Sequence, residues 1–63
     1  MSAPRIRVFV VDDHPMIRAG LGAMVRAERD FELVGEAEHG RDAVQLAPAT
    51  MPDVVMMDLV MPH

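Results

Sequence analysis

Residues 53–62 read Asp-Val-Val-Met-Met-Asp-Leu-Val-Met-Pro, and this stretch decides the fold. Four consecutive apolar residues lead into a single carboxylate, Asp58, and Pro62 follows four positions later. A continuous apolar run is typical of a strand buried on both faces, as in a parallel sheet covered by helices. Ligands bind in the loops beyond such strands, so Asp58 is placed for chemistry. Alternatively, it only starts a turn.

A second apolar run near the N-terminus also ends in carboxylates. Ile6–Val11 is nearly continuous in β-branched and aromatic residues, which predicts another strand buried on both faces. The run stops at Asp12 and Asp13. Pro15 follows shortly afterwards and suits the first turn of a helix, where its missing N–H is not needed.

The helix is predicted over residues 15–29 from its apolar spacing. Four side chains recur at three- and four-residue intervals and form one stripe, namely Ile17, Leu21, Met24 and Val25. Arg18, Arg26 and Arg29 lie off this stripe, so we expect them on the solvated face of the helix.

The middle of the chain predicts one more strand and one more helix. Phe31–Ala37 is predicted as a strand whose acidic positions indicate an edge exposed to water. A short helix is expected over residues 41–47, ended by Pro48, followed by a loop over residues 49–52. Asp53 then opens the third strand. The order β-α-β-α-β predicts a parallel sheet with right-handed crossovers.

Composition limits the function classes. With 63 residues and no cysteine, the chain is one small domain without disulfide or thiolate zinc site, and we expect it in the cytoplasm. No apolar run could span a bilayer, and the carboxylates at positions 12 and 13 interrupt any signal-peptide pattern. The net charge of −4, without a basic patch, argues against direct binding of nucleic acid.

Three carboxylates should meet at one end of the sheet. If the first and third strands are neighbours, Asp12, Asp13 and Asp58 converge there. At a separation of ~5 Å and an effective dielectric constant of ~20, each pair repels by about 3 kcal/mol. Such a cluster takes up protons or holds a cation, and oxygen ligands suit Mg²⁺. We therefore predict a Mg²⁺ site in which one aspartate is also a nucleophile toward phosphorus. A compatible alternative is that Asp12 and Asp13 cap the helix.

Two blocks of sequence resemble a known family. Residues 10–21 (Val-Val-Asp-Asp-His-Pro-Met-Ile-Arg-Ala-Gly-Leu) and 52–62 (Pro-Asp-Val-Val-Met-Met-Asp-Leu-Val-Met-Pro) resemble the receiver domain of two-component response regulators. His14-Pro15 and residues 18–21 resemble in particular the subgroup joined to a LuxR-type helix-turn-helix domain. Residues 35–37 and 40–43 also fit, so the resemblance extends over essentially the whole chain after Arg5.

The resemblance implies a phosphoacceptor rather than an enzyme. Asp58 would accept a phosphoryl group from a sensor histidine kinase, in a transfer that the domain itself catalyses. Mg²⁺ would be held by Asp12, Asp13, Asp58 and the backbone carbonyl of Val60. In the full-length protein, this phosphorylation would control a DNA-binding domain that regulates transcription.

The chain also departs from the family. A receiver is about twice this length and supplies a serine or threonine and a lysine that contact the phosphoryl group, whereas this chain contains no lysine and ends at His63. We therefore expect residues 1–63 to be the N-terminal half of a receiver. The expected fold is the three-stranded α/β portion of a flavodoxin-like (CheY-like) doubly wound fold, truncated after the third strand. Its strand order would be 2-1-3, and its open apolar third strand would favour a homo-oligomer.

Other readings of the same residues stay open. The chain could be a truncated or non-phosphorylated receiver that acts only as an interaction or structural piece. A Mg²⁺-dependent hydrolase with Asp58 as nucleophile is less consistent, because such phosphatases usually place a second aspartate where this chain has Val60. His14 could be a metal ligand or a phosphodonor, but a polar residue in the turn that enters the helix is the preferred interpretation.

Overall fold

The structure is a computed structural model, and it describes residues 4–57. Its elements in chain order are β1 (Ile6–Val11), α1 (Pro15–Ala27), β2 (Phe31–Ala37), α2 (Gly40–Thr50) and β3 (Val54–Met57). The sheet order is β2-β1-β3, and β1 pairs in parallel with both neighbours. The predicted β-α-β-α-β order and the predicted strand order 2-1-3 are therefore confirmed, and β2 lies at an edge as its acidic pattern indicates.

The central strand β1 carries the core on both of its faces. Phe9 and Val11 pack with residues of β2 and α2, whereas Val8 and Val10 pack with Val25 of α1. Successive residues of a strand point to opposite faces, so one apolar run supplies two clusters. Each helix thus covers one face of the sheet, which explains why the sequence of β1 shows no alternation between apolar and polar residues.

The third strand differs from the prediction in its burial. Val54, Val55 and Met57 are 46%, 44% and 46% exposed, although their continuous apolar run predicts burial on both faces. Within residues 4–57, β3 pairs only with β1, and the two helices pack against β1 and β2. The apolar pattern therefore identifies the strand correctly but not its exposure.

Helix α1 begins at Pro15, as predicted, but ends at Ala27 rather than at residue 29. Glu28 has extended backbone angles (φ −91°, ψ 125°), and its N–H donates to the carbonyl of Val25 at 3.1 Å. The N–H of Phe31 then donates to the carbonyl of Glu28 at 3.2 Å, which closes the turn into β2. Neither helix in the described part of the chain is long and apolar enough to cross a membrane.

The second helix is present as predicted, but its predicted end was wrong, because α2 (Gly40–Thr50) includes Pro48 and continues to Thr50. Arg7 of β1 explains the extension: its Nη2 donates to the carbonyl of Thr50 at 2.6 Å, and its Nε donates to that of Met51 at 3.3 Å. A cation at the last carbonyls stabilises a helix end. Met51 completes the end in the left-handed conformation (φ 50°), with its N–H donating to the carbonyl of Ala47 at 3.0 Å.

A β-bulge brings the backbone of β2 against a core ring. The register changes from Val8 opposite Leu33 to Phe9 opposite Gly35, so Val34 has no partner in β1. A Cβ atom at Gly35 would lie 2.6 Å from Cε2 of Phe9. Glycine within a strand commonly marks a bulge or a close approach, and here it marks both.

Candidate functional site

The carboxyl ends of β1 and β3 lie side by side. Val11 and Met57 are register partners, so the two strands reach the same end of the sheet. The N–H of Asp12 donates to the carbonyl of Ala37 at 3.1 Å, which keeps the start of the β1–α1 loop attached to β2. The predictions for Asp58 and Val60 concern residues outside the described range, and they stay predictions.

Asp12 is a buried carboxylate with one unsatisfied oxygen. The residue is 3% exposed, and its Oδ1 accepts a hydrogen bond from the N–H of His14 at 2.7 Å, a turn typical of aspartate. Its Oδ2 is buried and has no hydrogen-bond partner among the described residues. An ionised oxygen in that position is unfavourable unless a cation or a donor meets it, which makes Asp12 the most informative residue of the site.

Asp13 and His14 complete a group of three candidate ligands. Nδ1 of His14 lies 2.8 Å from Oδ1 of Asp13 and 3.3 Å from Oδ1 of Asp12. One ligand atom from each of the three residues lies within 4.8 Å of the others. The side chains of Asp13 and His14 are 58% and 52% exposed, so these two members of the group are accessible to solvent.

The capping alternative for the aspartates is not what the structure shows. The N-cap residue of α1 is His14, and no side chain makes a capping hydrogen bond there. The Oδ1 of Asp12 is occupied by the N–H of His14, which lies before the helix rather than in its first turn. The two carboxylates therefore leave the positive end of α1 without a direct cap.

The donors in this group fit a hard divalent cation. The buried unpaired oxygen of Asp12 and the exposed carboxylate of Asp13 are both oxygen ligands, which Mg²⁺ prefers. The site is also open enough for water ligands, since Asp13 is half-exposed. The composition of the group agrees with the predicted Mg²⁺ site, while the assignment of individual ligands stays a prediction.

Arg18 is a residue of this site that the sequence pattern missed. It was expected on the solvated face of α1, but its side chain is 23% exposed and its Nη1 donates to the backbone carbonyl of Asp12 at 2.9 Å. Arg18 lies in the first turn of a helix that begins just beyond the β1–α1 loop, so its side chain reaches back to that loop. The sequence did contain a signal for this contact, namely an arginine in the first turn of a helix that follows an acidic loop.

Comparisons with a family model and with individual proteins indicate the same family. Residues 8–63 match the sequence model of the response regulator receiver domain. The chain is 52% identical over 56 residues to the transcriptional regulatory protein LiaR of Bacillus subtilis, covering 89% of this chain and 26% of LiaR. It is 42% identical over 63 residues to the uncharacterized transcriptional regulatory protein YxjL of the same organism, covering 100% of this chain and 29% of YxjL.

A solved structure agrees with both the fold and the family. The chain superposes on the signal receiver domain of the response regulator NarL from Mycobacterium tuberculosis with a TM-score of 0.85 and 38% identity. The similarity covers 95% of this chain and 48% of that one. The chain thus spans about half of a solved receiver domain and less than a third of the curated relatives.

Proposed function

Because the chain belongs to the response regulator receiver domain family, we propose that it is a phosphoacceptor module of a two-component system. Asp58 takes the phosphoryl group, and a sensor histidine kinase donates it. The observation that carries this proposal is the buried carboxylate of Asp12, which has one unpaired oxygen among the described residues and belongs to a group with Asp13 at the carboxyl end of the central strand. That arrangement favours a bound divalent cation next to the strand end that precedes Asp58.

In the proposed transfer, each residue has a separate role. Asp12, Asp13, Asp58 and the backbone carbonyl of Val60 hold the cation. Bound Mg²⁺ would offset the negative charge of the carboxylates and of the phosphoryl oxygens. A carboxylate oxygen of Asp58 forms the new bond to phosphorus, while the bond from phosphorus to the histidine nitrogen of the donor breaks. The domain itself catalyses the transfer of the phosphoryl group from the kinase onto its own aspartate, as a signalling acceptor.

The relatives support a role in gene regulation. LiaR and YxjL are named transcriptional regulatory proteins, and this chain covers 26% and 29% of them. We propose that residues 1–63 correspond to the N-terminal half of the receiver, and that phosphorylation controls a LuxR-type DNA-binding domain. The chain itself carries a net charge of −4, so nucleic-acid contacts would belong to that other domain.

Intact mass spectrometry tests the phosphoacceptor role. The chain is incubated with acetyl phosphate, with and without Mg²⁺, and we expect a single phosphoryl adduct only when Mg²⁺ is present. Asp58→Asn should remove the adduct, because the amide is not a nucleophile toward phosphorus. Asp42→Asn, which removes a partly buried carboxylate from the first turn of α2, is the matched control and should still be phosphorylated. An adduct on Asp58→Asn, or none on the original chain, would contradict the proposal and favour a purely structural role.

Within residues 4–57, β3 pairs only with β1, and its other edge supports a second part of the proposal, that two copies of the chain associate. Val54, Val55 and Met57 are nearly half-exposed, and an unpaired apolar edge readily accepts another strand. A second copy presents the same edge, so the two β3 strands could pair about a two-fold axis.

Light scattering at micromolar concentration measures this association. We expect a dimer for the original chain and a monomer for Val55→Lys, because a charge on the edge opposes strand pairing. Val44→Lys makes the same change at an exposed position of α2, away from β3, and should stay dimeric. A monomeric original chain with a cooperative thermal transition would contradict the proposed dimer.

A further inference from the structure

Arg18 makes a charge-assisted hydrogen bond to the loop that carries both acidic candidates. Its Nη1 donates to the backbone carbonyl of Asp12 at 2.9 Å, and the side chain is 23% exposed. Hydrogen bonds from a guanidinium are stronger than those between neutral groups, and the planar shape of the group fixes their direction. The contact is therefore suited to set the orientation of the loop.

The other side of the same guanidinium faces a carboxylate on β2. Nε of Arg18 lies 3.6 Å from Oε1 of Glu36, and Nη2 of Arg26 lies 3.8 Å from Oε2 of the same residue. Glu36 is the register partner of Val10 in β1. Arg18 thus connects the β1–α1 loop to the sheet, while Arg26 shares the carboxylate without reaching Asp12.

Close packing between α1 and β2 keeps Glu36 within reach of the arginines. A Cβ atom at Gly22 would lie 3.6 Å from Oε2 of Glu36 and 3.4 Å from Cδ2 of Leu33. The helix therefore passes close to β2 at this glycine, and the carboxylate lies beside it. The side chain of Glu36 is 35% exposed, against 23% for that of Arg18.

The bond from Arg18 completes the restraint on Asp12. The N–H of Asp12 is bonded to Ala37, its Oδ1 accepts from His14, and its carbonyl accepts from Arg18. Among the described residues, only Oδ2 is left without a partner. A ligand is most effective when its neighbours hold it in the binding orientation before the ion arrives.

We propose that Arg18 is a positioning residue that holds Asp12 in its cation-binding orientation, with Glu36 as the second anchor of the guanidinium. Arg18 acts through the backbone of Asp12 and does not touch the ion. The inference rests on the proposed Mg²⁺ site, and it adds a role for a residue of α1 outside the acidic group.

Electrostatics alone predicts the opposite sign for the loss of this arginine. A positive charge near a cation site repels the cation, so removing Arg18 should strengthen Mg²⁺ binding if the charge is all that matters. If Arg18 positions Asp12, its removal weakens Mg²⁺ binding despite the lost repulsion. The direction of the change therefore separates a positioning role from a purely electrostatic one.

The experiment measures Mg²⁺ affinity by calorimetry for the original chain and for four variants. Arg18→Gln should weaken binding about tenfold, the effect of losing a charge-assisted hydrogen bond that orients a ligand. Arg18→Lys keeps the charge but loses the two-sided geometry and should weaken it about threefold. The Mg²⁺ affinity of Glu36→Gln should lie between those of the original chain and of Arg18→Gln. Arg26→Gln is the matched control: it removes the same charge from the same helix and should change affinity less than twofold.

A second measurement does not need the metal. The N–H of His14 is held by Oδ1 of Asp12, so its hydrogen exchange without Mg²⁺ reports the orientation of that carboxylate. We expect exchange about tenfold faster in Arg18→Gln and unchanged in Arg26→Gln. If the amide spectrum of Arg18→Gln shows that this variant does not fold, Arg18→Lys replaces it in the affinity measurement and in the exchange measurement.

The outcomes distinguish this inference from the proposed function. If the original chain binds Mg²⁺ and the Arg18 variants bind it equally well or better, the positioning role is overturned while the Mg²⁺ site stands. If the original chain binds no Mg²⁺, the proposed site fails. Exchange at His14 that is the same in all variants also overturns the role of Arg18, whether or not Mg²⁺ binds.

Discussion

Asp12→Asn is expected to lower Mg²⁺ affinity at least ~100-fold, about 2.7 kcal/mol, while leaving the metal-free chain as stable as the original or more stable. The asparagine keeps an oxygen that can accept the hydrogen bond from the N–H of His14. It replaces a buried carboxylate, one oxygen of which has no partner in the described residues, by a neutral amide. A neutral group is less unfavourable to bury than an unpaired charge, so we expect a gain of about 1 kcal/mol in the free energy of unfolding without metal.

Denaturant unfolding with chelator and with excess Mg²⁺ measures both effects. A ligand at 100 times its Kd stabilises the folded state by ~2.7 kcal/mol, and the original chain should show a gain of this order. Asp12→Asn should show ~0.4 kcal/mol or less at the same Mg²⁺ concentration, whereas the partly buried control Asp42→Asn should respond to Mg²⁺ like the original chain. Equal stabilisation of Asp12→Asn by Mg²⁺, or a loss of several kcal/mol without metal, would contradict the assigned role of Asp12.

Gly35→Ala is expected to destabilise the fold by ~2–3 kcal/mol. The added Cβ would lie 2.6 Å from Cε2 and 2.8 Å from Cδ2 of Phe9, distances that require atoms to move. Phe9 is 1% exposed and packs against Ala37 and Ala43, so its ring has no free space to occupy. The denaturant midpoint at a constant m-value measures the loss.

Gly20→Ala is the matched control for this substitution, and its effect should have the opposite sign. A Cβ at Gly20 meets nothing within 4 Å, and the residue lies in the interior of α1. Alanine is favoured over glycine in a helix by ~0.5–1 kcal/mol, so the variant should be slightly more stable. If both substitutions changed the free energy of unfolding in the same direction, contact with Phe9 would not explain the effect of Gly35→Ala.

The sequence predicted the first two strands to the residue because their limits are marked locally. β1 ends where apolar residues give way to Asp12, and β2 lies between the acidic turn at Asp30 and the turn before Gly40. The end of α2 was wrong because Arg7, far away in the chain, bonds to the carbonyls beyond Pro48. Local propensity does not report such a contact, and it favours termination at proline.

In the candidate site, too, features set by neighbouring residues were predicted correctly, whereas features set by tertiary contacts were not. Neighbouring positions in the chain and a shared sheet end were enough to predict that Asp12 and Asp13 lie together beside the end of β3. The burial of Asp12 and of its unpaired oxygen depends on tertiary packing, which no spacing rule gives. The bond from Arg18 depends on the angle at which α1 leaves that loop, and for that reason the residue was assigned to the solvated face.

The bond between Arg7 and Thr50 joins groups 43 residues apart, so the last turn of α2 is not a local structure. Contacts at such separation form late in folding, because a long loop must close before they contribute. During synthesis, Arg7 is made well before Thr50, and the C-terminal turn of α2 can be completed only after both have emerged. That turn should therefore melt together with the central strand rather than fray on its own, although it lies at the end of a short helix.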